Sequence, residues 1–139
     1  MVEKYEIKTT NKQFGMNQTR ENIIQNYIDG YNEFDTGKMM LDLSEEIVFQ
    51  NIQNGEVTMR LEGKNAFKQK AEQARTHFVS RKQTITAMKH RKNETEIDYS
   101  AVLAADFPNG MQKGEKLELK GKSIFKFLDD KIVVLTDIS

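Results

Sequence analysis

The chain has 139 residues, 21 basic side chains against 21 acidic ones, and no cysteine. This length favours one domain with a continuous core, and the missing cysteine excludes disulfides, thiolate nucleophiles and zinc–thiolate sites. No apolar stretch reaches the roughly 20 residues of a membrane helix, and the first residues lack the apolar run of a secretory signal. We therefore expect a cytoplasmic protein that does not enter membranes.

Residues 1–16 show no sustained hydrophobic period, and we treat them as an N-terminal extension whose start favours a short strand. From residue 17 the apolar side chains recur at helical spacing. We expect an amphipathic helix that is capped by Asn17 or Thr19 and ends just before Gly37. A single domain is therefore predicted over residues 17–139.

The middle of the chain predicts a short helical segment over residues 38–43 and a strand over residues 46–52. The pair Asn54-Gly55 then predicts the turn of a β-hairpin, because both residues tolerate a positive φ angle. A second helix follows, with its start at Gly63 or Asn65. Its inward positions keep helical spacing if the aliphatic stem of Lys70 lies along the edge of the core, and they are Ala66, Phe67, Lys70, Ala71, Ala74 and Phe78.

The last third of the chain consists of alternating runs separated by turn residues, at residues 83–90, 95–107, 116–128 and 131–138. Short connections of this kind predict an antiparallel meander, and helices followed by long strands indicate an α+β fold. The last run is apolar on both of its faces. A sheet with one solvated face does not need this pattern, so we expect the second face to be covered as well.

The order of these elements resembles the NTF2-like superfamily, and within it the small bacterial SnoaL-like proteins. The resemblance covers about residues 17–139 and includes the helix start Leu61-Glu62-Gly63-Lys64-Asn65-Ala66-Phe67. The other stretches that carry it are residues 27–34, 35–37, 43–51, 123–127 and 131–138. It implies a cystatin-like cone, in which helices pack on the concave face of a curved antiparallel sheet and leave a pocket at the open end.

The superfamily includes ketosteroid isomerase, polyketide cyclases and scytalone dehydratase, so the fold alone does not decide the function. The isomerase pattern places the catalytic base at Asn51, the oxyanion acid at Ser123 and the oxyanion tyrosine near Gly30. An amide cannot act as a general base, and a serine hydroxyl is a weaker donor than a neutral carboxylic acid. We therefore expect no turnover of steroid enones by that mechanism.

Other patterns with chemical meaning are weak. His77 and His90 have no acidic residue at metal-ligand spacing, and we expect an exposed His90 in the basic run of residues 89–92. A His/Asp pair of the scytalone dehydratase kind stays open for His90. That basic run has no interleaved aromatic residues for base stacking, so nucleic acid is not expected as a partner. No cofactor or metal is predicted.

By the register that the resemblance implies, Val133, Leu135 and Asp137 face the inside of the cone. Asp137 is then either a pocket base or a solvated residue at the open rim, and the sequence leaves this choice open. The leading interpretation is a binding module for a small apolar molecule. Its predicted lining consists of Tyr27, Tyr31, Phe49, Asn51, Met59, Tyr99, Ser123 and Asp137, with Asn51 and Ser123 facing one cavity.

Two alternatives remain. One is a cyclase, isomerase or dehydratase that acts on a small apolar carbonyl compound, with Asp137 as base and Tyr31 or Asn51 polarising the carbonyl. The other is a structural homodimer with a filled cone. In either case the convex face has two candidate covers, namely residues 1–16 folded back over part of it in a monomer, or a second copy of the chain. We expect the homodimer, because the apolar residues assigned to this face lack another cover within residues 17–139. These residues are Ile124, Leu128, Ile132, Val134 and Ile138.

Overall fold

A computed structural model describes the backbone of residues 2–105 and 116–139, and the side chains of residues 15–104 and 116–139. The described residues form three helices, α1 (Val2–Asn32), α2 (Thr36–Met40) and α3 (Lys64–Arg75). The strands are β1 (Leu43–Gln53), β2 (Glu56–Glu62), β3 (Phe78–His90), β4 (Glu94–Ala105), β5 (Lys116–Leu128) and β6 (Lys131–Ile138).

These six strands of the described part of the chain form one sheet in the order β2-β1-β6-β5-β4-β3. The pairing is antiparallel except between β1 and β6, which run parallel. Irregularities in register interrupt four of the five strand pairs, and bulges of this kind bend and twist a sheet. The sheet curves around the helices, and the predicted α+β fold is confirmed.

The core lies between the helices and one face of the sheet. Helix α1 contributes Ile24 and Ile28, which are almost fully buried against Phe125 and Leu135 of the sheet. The predicted hairpin is confirmed, because Asn54 and Gly55 connect β1 and β2 with positive φ angles of 52° and 80°. The strands β5 and β6 have the bounds that the sequence predicts.

The first helix differs from its prediction at both ends. It begins at Val2 instead of residue 17, so the start of the chain is helical and forms no strand. It ends at Asn32, where Phe34 takes a φ of 58° and Asp35 becomes the N-cap of α2. Gly37 therefore lies inside α2 and does not terminate α1. The domain boundary near residue 17 stays a prediction.

The strand β6 contains a bulge that the sequence does not reveal. Lys126 pairs with Val134, whereas the next residue of β5, Phe127, pairs with Ile132, and Val133 is left without a partner in this register. As a result Ile132 belongs to the core with 1% exposure. Its assignment to the convex face is wrong for this reason. The predicted part of β4 beyond residue 105 lies outside the described residues.

Candidate ligand-binding site

A cavity of about 220 Å³, which we call the main cavity, lies between the three helices and the strands β1, β2, β3 and β6. Most of its lining is apolar. The polar or charged groups that reach it come from two helices and three strands, and they are Tyr27, Tyr31, Lys70, Asn51, Arg81 and Asp137. The arrangement is that of an apolar chamber with a few polar groups around it.

A second and smaller cavity of about 100 Å³, the side cavity, lies toward β4 and β5. It shares Tyr27, Tyr31 and Asp137 with the main cavity. Its other lining residues are Gln83, Tyr99, Ala101, Leu103, Leu119 and Ser123. The two chambers therefore meet at a tyrosine pair and one carboxylate.

The structure places each residue of the predicted lining beside one or both cavities. Phe49, Asn51 and Met59 line only the main cavity, whereas Tyr27 and Tyr31 line both cavities. Tyr99 and Ser123 line only the side cavity, and Asp137 lines both. Asn51 and Ser123 therefore share one face of the sheet but face adjoining chambers. Ligand binding by these residues stays a prediction.

Asp137 is the chemical centre of this arrangement. The sheet register pairs it with Asn51 on one side and with Ser123 on the other. The Ser123 hydroxyl donates a hydrogen bond of 2.6 Å to Asp137 Oδ1. Burial nevertheless raises the pKa of Asp137 from its ordinary value of 3.8 to about 6, because the loss of solvation outweighs the hydrogen bond from Ser123. Asp137 can therefore exchange a proton near neutral pH.

The tyrosines around Asp137 are neutral hydrogen-bonding groups. Burial, with Asp137 nearby, raises the pKa of Tyr99 to about 12 and moves the pKa of Tyr27 and Tyr31 upward as well. The Tyr27 ring packs edge-on against Phe125 at 5.7 Å between ring centroids. Tyr27 is thus a core residue that also lines both cavities, as tyrosines with one apolar and one polar end commonly are.

Arg81 is a cavity residue that the sequence did not suggest. Its side chain comes from β3 and is only 5% exposed. The Nε atom donates a hydrogen bond of 2.6 Å to the carbonyl oxygen of Tyr31, and the guanidinium lies 4.0 Å from the centroid of the Tyr31 ring. An arginine next to Lys82 in a polar strand is normally solvated. The one sign of burial in the sequence is that Arg81 lies on the same face of its strand as Ile85.

Helix α3 supplies most of the remaining lining, through Phe67, Lys70, Ala71 and Ala74. The sequence identified these positions as the inward stripe of a helix but not as a cavity wall. Helical spacing shows which side of α3 faces inward, and it does not show that small alanine side chains leave a gap there. Met39 of α2 and Leu61 of β2 complete this wall.

The histidines lie away from both cavities. His77 is exposed, but the expectation of an exposed His90 is wrong, because its ring contacts Thr95 Oγ1 at 2.9 Å and Glu21 Oε1 at 3.1 Å. The acidic neighbour comes from α1, 69 residues away in the chain, so local spacing could not reveal it. In the part of the chain that the structure describes, no group of three His, Asp or Glu side chains could hold a metal ion.

Among the described residues, no helix is both long and apolar enough to span a membrane. No family model matches the sequence, and no curated protein matches it either.

Solved structures do match the fold. An NTF2-like protein of unknown function from Burkholderia pseudomallei has a TM-score of 0.69 at 11% identity, over 86% of this chain and 88% of that one. A proposed polyketide cyclase from Xanthomonas campestris has a TM-score of 0.70 at 17% identity, over 88% and 90% of the two chains. An LEH-like epoxide hydrolase from M. tuberculosis has a TM-score of 0.67 at 11% identity, over 84% and 79%. The chain therefore has the NTF2-like fold, the cystatin-like α+β cone.

Proposed function

We propose that this protein is a cytoplasmic binding module whose main cavity takes one small, mainly apolar molecule. The observation that carries the proposal is the cavity itself, a largely apolar chamber of about 220 Å³ with few polar groups in its wall. Small-molecule sites in proteins are commonly of this kind. A filled cone would leave no such space, so the cavity speaks against a purely structural role.

The cavity volume limits the ligand. Sites for drug-sized molecules usually measure about 300–1,000 Å³, whereas an apolar cavity of about 150 Å³ is enough to bind benzene. At about 220 Å³ the main cavity fits a single ring with short substituents. A fused-ring steroid exceeds it, which agrees with the expectation that steroid enones are not turned over.

Filling the cavity tests the proposal. Ala71 lies in the wall on α3, and Ala71→Leu adds side-chain volume there. We expect toluene and benzaldehyde to bind the unaltered protein, followed by amide chemical shifts in NMR titrations, and to bind Ala71→Leu at least tenfold more weakly. The matched control is Gln69→Leu, which adds a leucine to an exposed position of the same helix. Absence of binding by both compounds, or equal binding by Ala71→Leu, would refute the proposal.

A second candidate function is an enzyme that removes a proton next to a carbonyl group. It is supported by the carboxyl group of Asp137, which lines both cavities and whose pKa lies near 6. Such a group is mostly ionised at neutral pH and can accept a proton from carbon. Asn51 is its neighbour in register and Tyr31 lines both chambers, so either one is a candidate donor to the substrate oxygen.

Hydrogen exchange distinguishes the enzyme from the binding module. Cyclohexanone in deuterated water exchanges its α-hydrogens, and NMR measures the rate. We expect a catalyst to accelerate this exchange and Asp137→Asn to remove most of the acceleration, because the amide cannot accept the proton. Binding of cyclohexanone without any acceleration would eliminate the enzyme and leave the binding module in place.

A further inference from the structure

The guanidinium of Arg81 is a buried cation with an incomplete set of partners. The side chain is 5% exposed, and no ion pair to it occurs among the described residues. Its Nε atom donates a hydrogen bond to the carbonyl oxygen of Tyr31, but its Nη2 atom is buried and has no hydrogen-bond partner among the described residues. A buried charge with an unsatisfied donor is destabilising, so it calls for an explanation.

Two aromatic rings compensate this charge only in part. The guanidinium carbon lies 4.0 Å from the centroid of the Tyr31 ring and 4.5 Å from that of Phe34. Cation–π contacts are attractive, but the faces of aromatic rings do not replace the hydrogen bonds that the N–H groups lose on burial. The carboxylate of Asp137 also lines the main cavity, but no hydrogen bond or ion pair joins it to Arg81.

Arg81 also lines the main cavity, so a molecule bound there would lie next to the guanidinium. Arginine presents its N–H groups as a planar fork that matches the two oxygens of a carboxylate. In an apolar chamber this pairing is stronger than it is in water. Lys70 lines the same cavity but is exposed at the surface, so its charge is already solvated.

We propose that the ligand of the main cavity is a small aromatic or alicyclic carboxylate, and that Arg81 binds its carboxylate group. This inference rests on the proposed function and makes it more specific. The apolar wall takes the ring, and the carboxylate pairs with the guanidinium, which has no ion-pair partner among the described residues.

Three probes of similar size test it by isothermal titration calorimetry, namely benzoate, the neutral benzamide and the apolar toluene. We expect benzoate to bind at least tenfold more tightly than benzamide. In Arg81→Gln this preference disappears while toluene still binds, and Arg81→Lys retains part of it because lysine keeps the charge without the fork. The control Arg75→Gln removes an exposed arginine that pairs with Glu72, and we expect it to leave the preference unchanged.

The outcomes separate the two proposals. If toluene binds but benzoate binds no better than benzamide, the carboxylate inference is overturned and the binding module stands. If Lys70→Gln removes the preference and Arg81→Gln does not, the assignment to Arg81 is wrong. If none of the three probes binds, the proposed function fails together with this inference. The comparison of benzoate with benzamide needs only the unaltered protein, so it remains decisive if Arg81→Gln does not fold.

Discussion

Asp137 lies in the middle of three neighbouring strands, where the register places Asn51 and Ser123 on either side of it. Each of the three has a polar side chain on the face of the sheet that otherwise carries core residues such as Phe125 and Leu135. The hydrogen bond from Ser123 satisfies one carboxylate oxygen, and burial still opposes ionisation. The ionised form of Asp137 therefore lowers the stability of the folded protein, by an amount that depends on pH.

The sign of this dependence follows from the pKa. Because the pKa of Asp137 rises from 3.8 to about 6 on folding, the folded protein binds more protons than the unfolded chain between these values. Asp137 therefore destabilises the protein as pH increases through this window, by up to about 3 kcal/mol once pH is above 6. Partial exposure to the cavities reduces this amount.

We expect Asp137→Asn to be more stable than the unaltered protein at about pH 8 and to differ little from it at about pH 3.5. The asparagine oxygen can still accept the bond from Ser123, so the change removes the charge and keeps the shape. Urea denaturation at a series of pH values measures the difference. Asp130→Asn, in the exposed turn between β5 and β6, is the control. A variant that is no more stable at about pH 8 would contradict the assigned burial cost.

At the scale of elements, the contact between α1 and α2 depends on a missing side chain. A Cβ atom at Gly30 would lie 2.8 Å from the backbone nitrogen of Met39 and 3.1 Å from the carbonyl oxygen of Asp35. Both are main-chain atoms, which cannot move aside as a flexible side chain can. The close approach positions α2, and with it Met39 in the wall of the main cavity.

We expect Gly30→Ala to destabilise the protein by about 1–3 kcal/mol, although alanine is favoured over glycine within a helix by about 1 kcal/mol. Gly15 lies in the same helix, and no atom of the described side chains lies within 4 Å of the position of a Cβ atom there. Gly15→Ala should therefore stabilise the protein by up to about 1 kcal/mol, with the opposite sign. Thermal and urea unfolding of both variants measure this contrast. Equal effects at the two glycines would show that packing against α2 is not the cause.

At the scale of the whole molecule, the face of the sheet away from the helices carries a half-buried apolar patch. We define this outer patch as Val48, Ile52, Ile124, Val134 and Ile138. Gln50 and Thr136 lie among these residues and are hydrogen bonded to each other. Two residues earlier assigned to this face do not belong to the patch, since Ile132 lies in the core and Leu128 is 66% exposed beside the turn after β5.

We propose that two copies of the chain pair through the outer patch. An interface of common size buries about 800 Å² on each partner, and burial of apolar surface at about 25 cal/mol per Å² gives a gross gain that can exceed the cost of association. Light scattering should then give twice the chain mass of 16.1 kDa. Val134→Lys should reduce it to one chain, because the charge would lie inside the interface.

The control is Val79→Lys, which places the same charge at an exposed position on β3. This strand is the edge of the sheet opposite to β2. We expect it to leave the mass unchanged. A mass of one chain that persists as concentration rises would overturn the dimer. The alternative cover for this face consists of residues 1–16. The side chains of residues 1–14 lie outside the described residues.

The sequence by itself determined the features that depend on near neighbours. Asn54 and Gly55 define the hairpin because each accepts a positive φ angle, and alternating residues give the bounds of β5 and β6. The same alternation shows which side chains of β1 and β5 face the helices. It is enough to place Asn51 and Ser123 on the helix side of the sheet before their strands are known to be near each other.

Only the tertiary structure decided which of these residues meet. The parallel pairing of β1 with β6 brings Asn51 beside Asp137, although they are 86 positions apart in the chain, and no local pattern encodes such a pairing. The bulge at Val133 turns Ile132 into the core, and the packing of α1 on β3 buries Arg81. Local sequence preferences set the face of each element, whereas the cavity, its carboxylate and its arginine arise from how distant elements pack together.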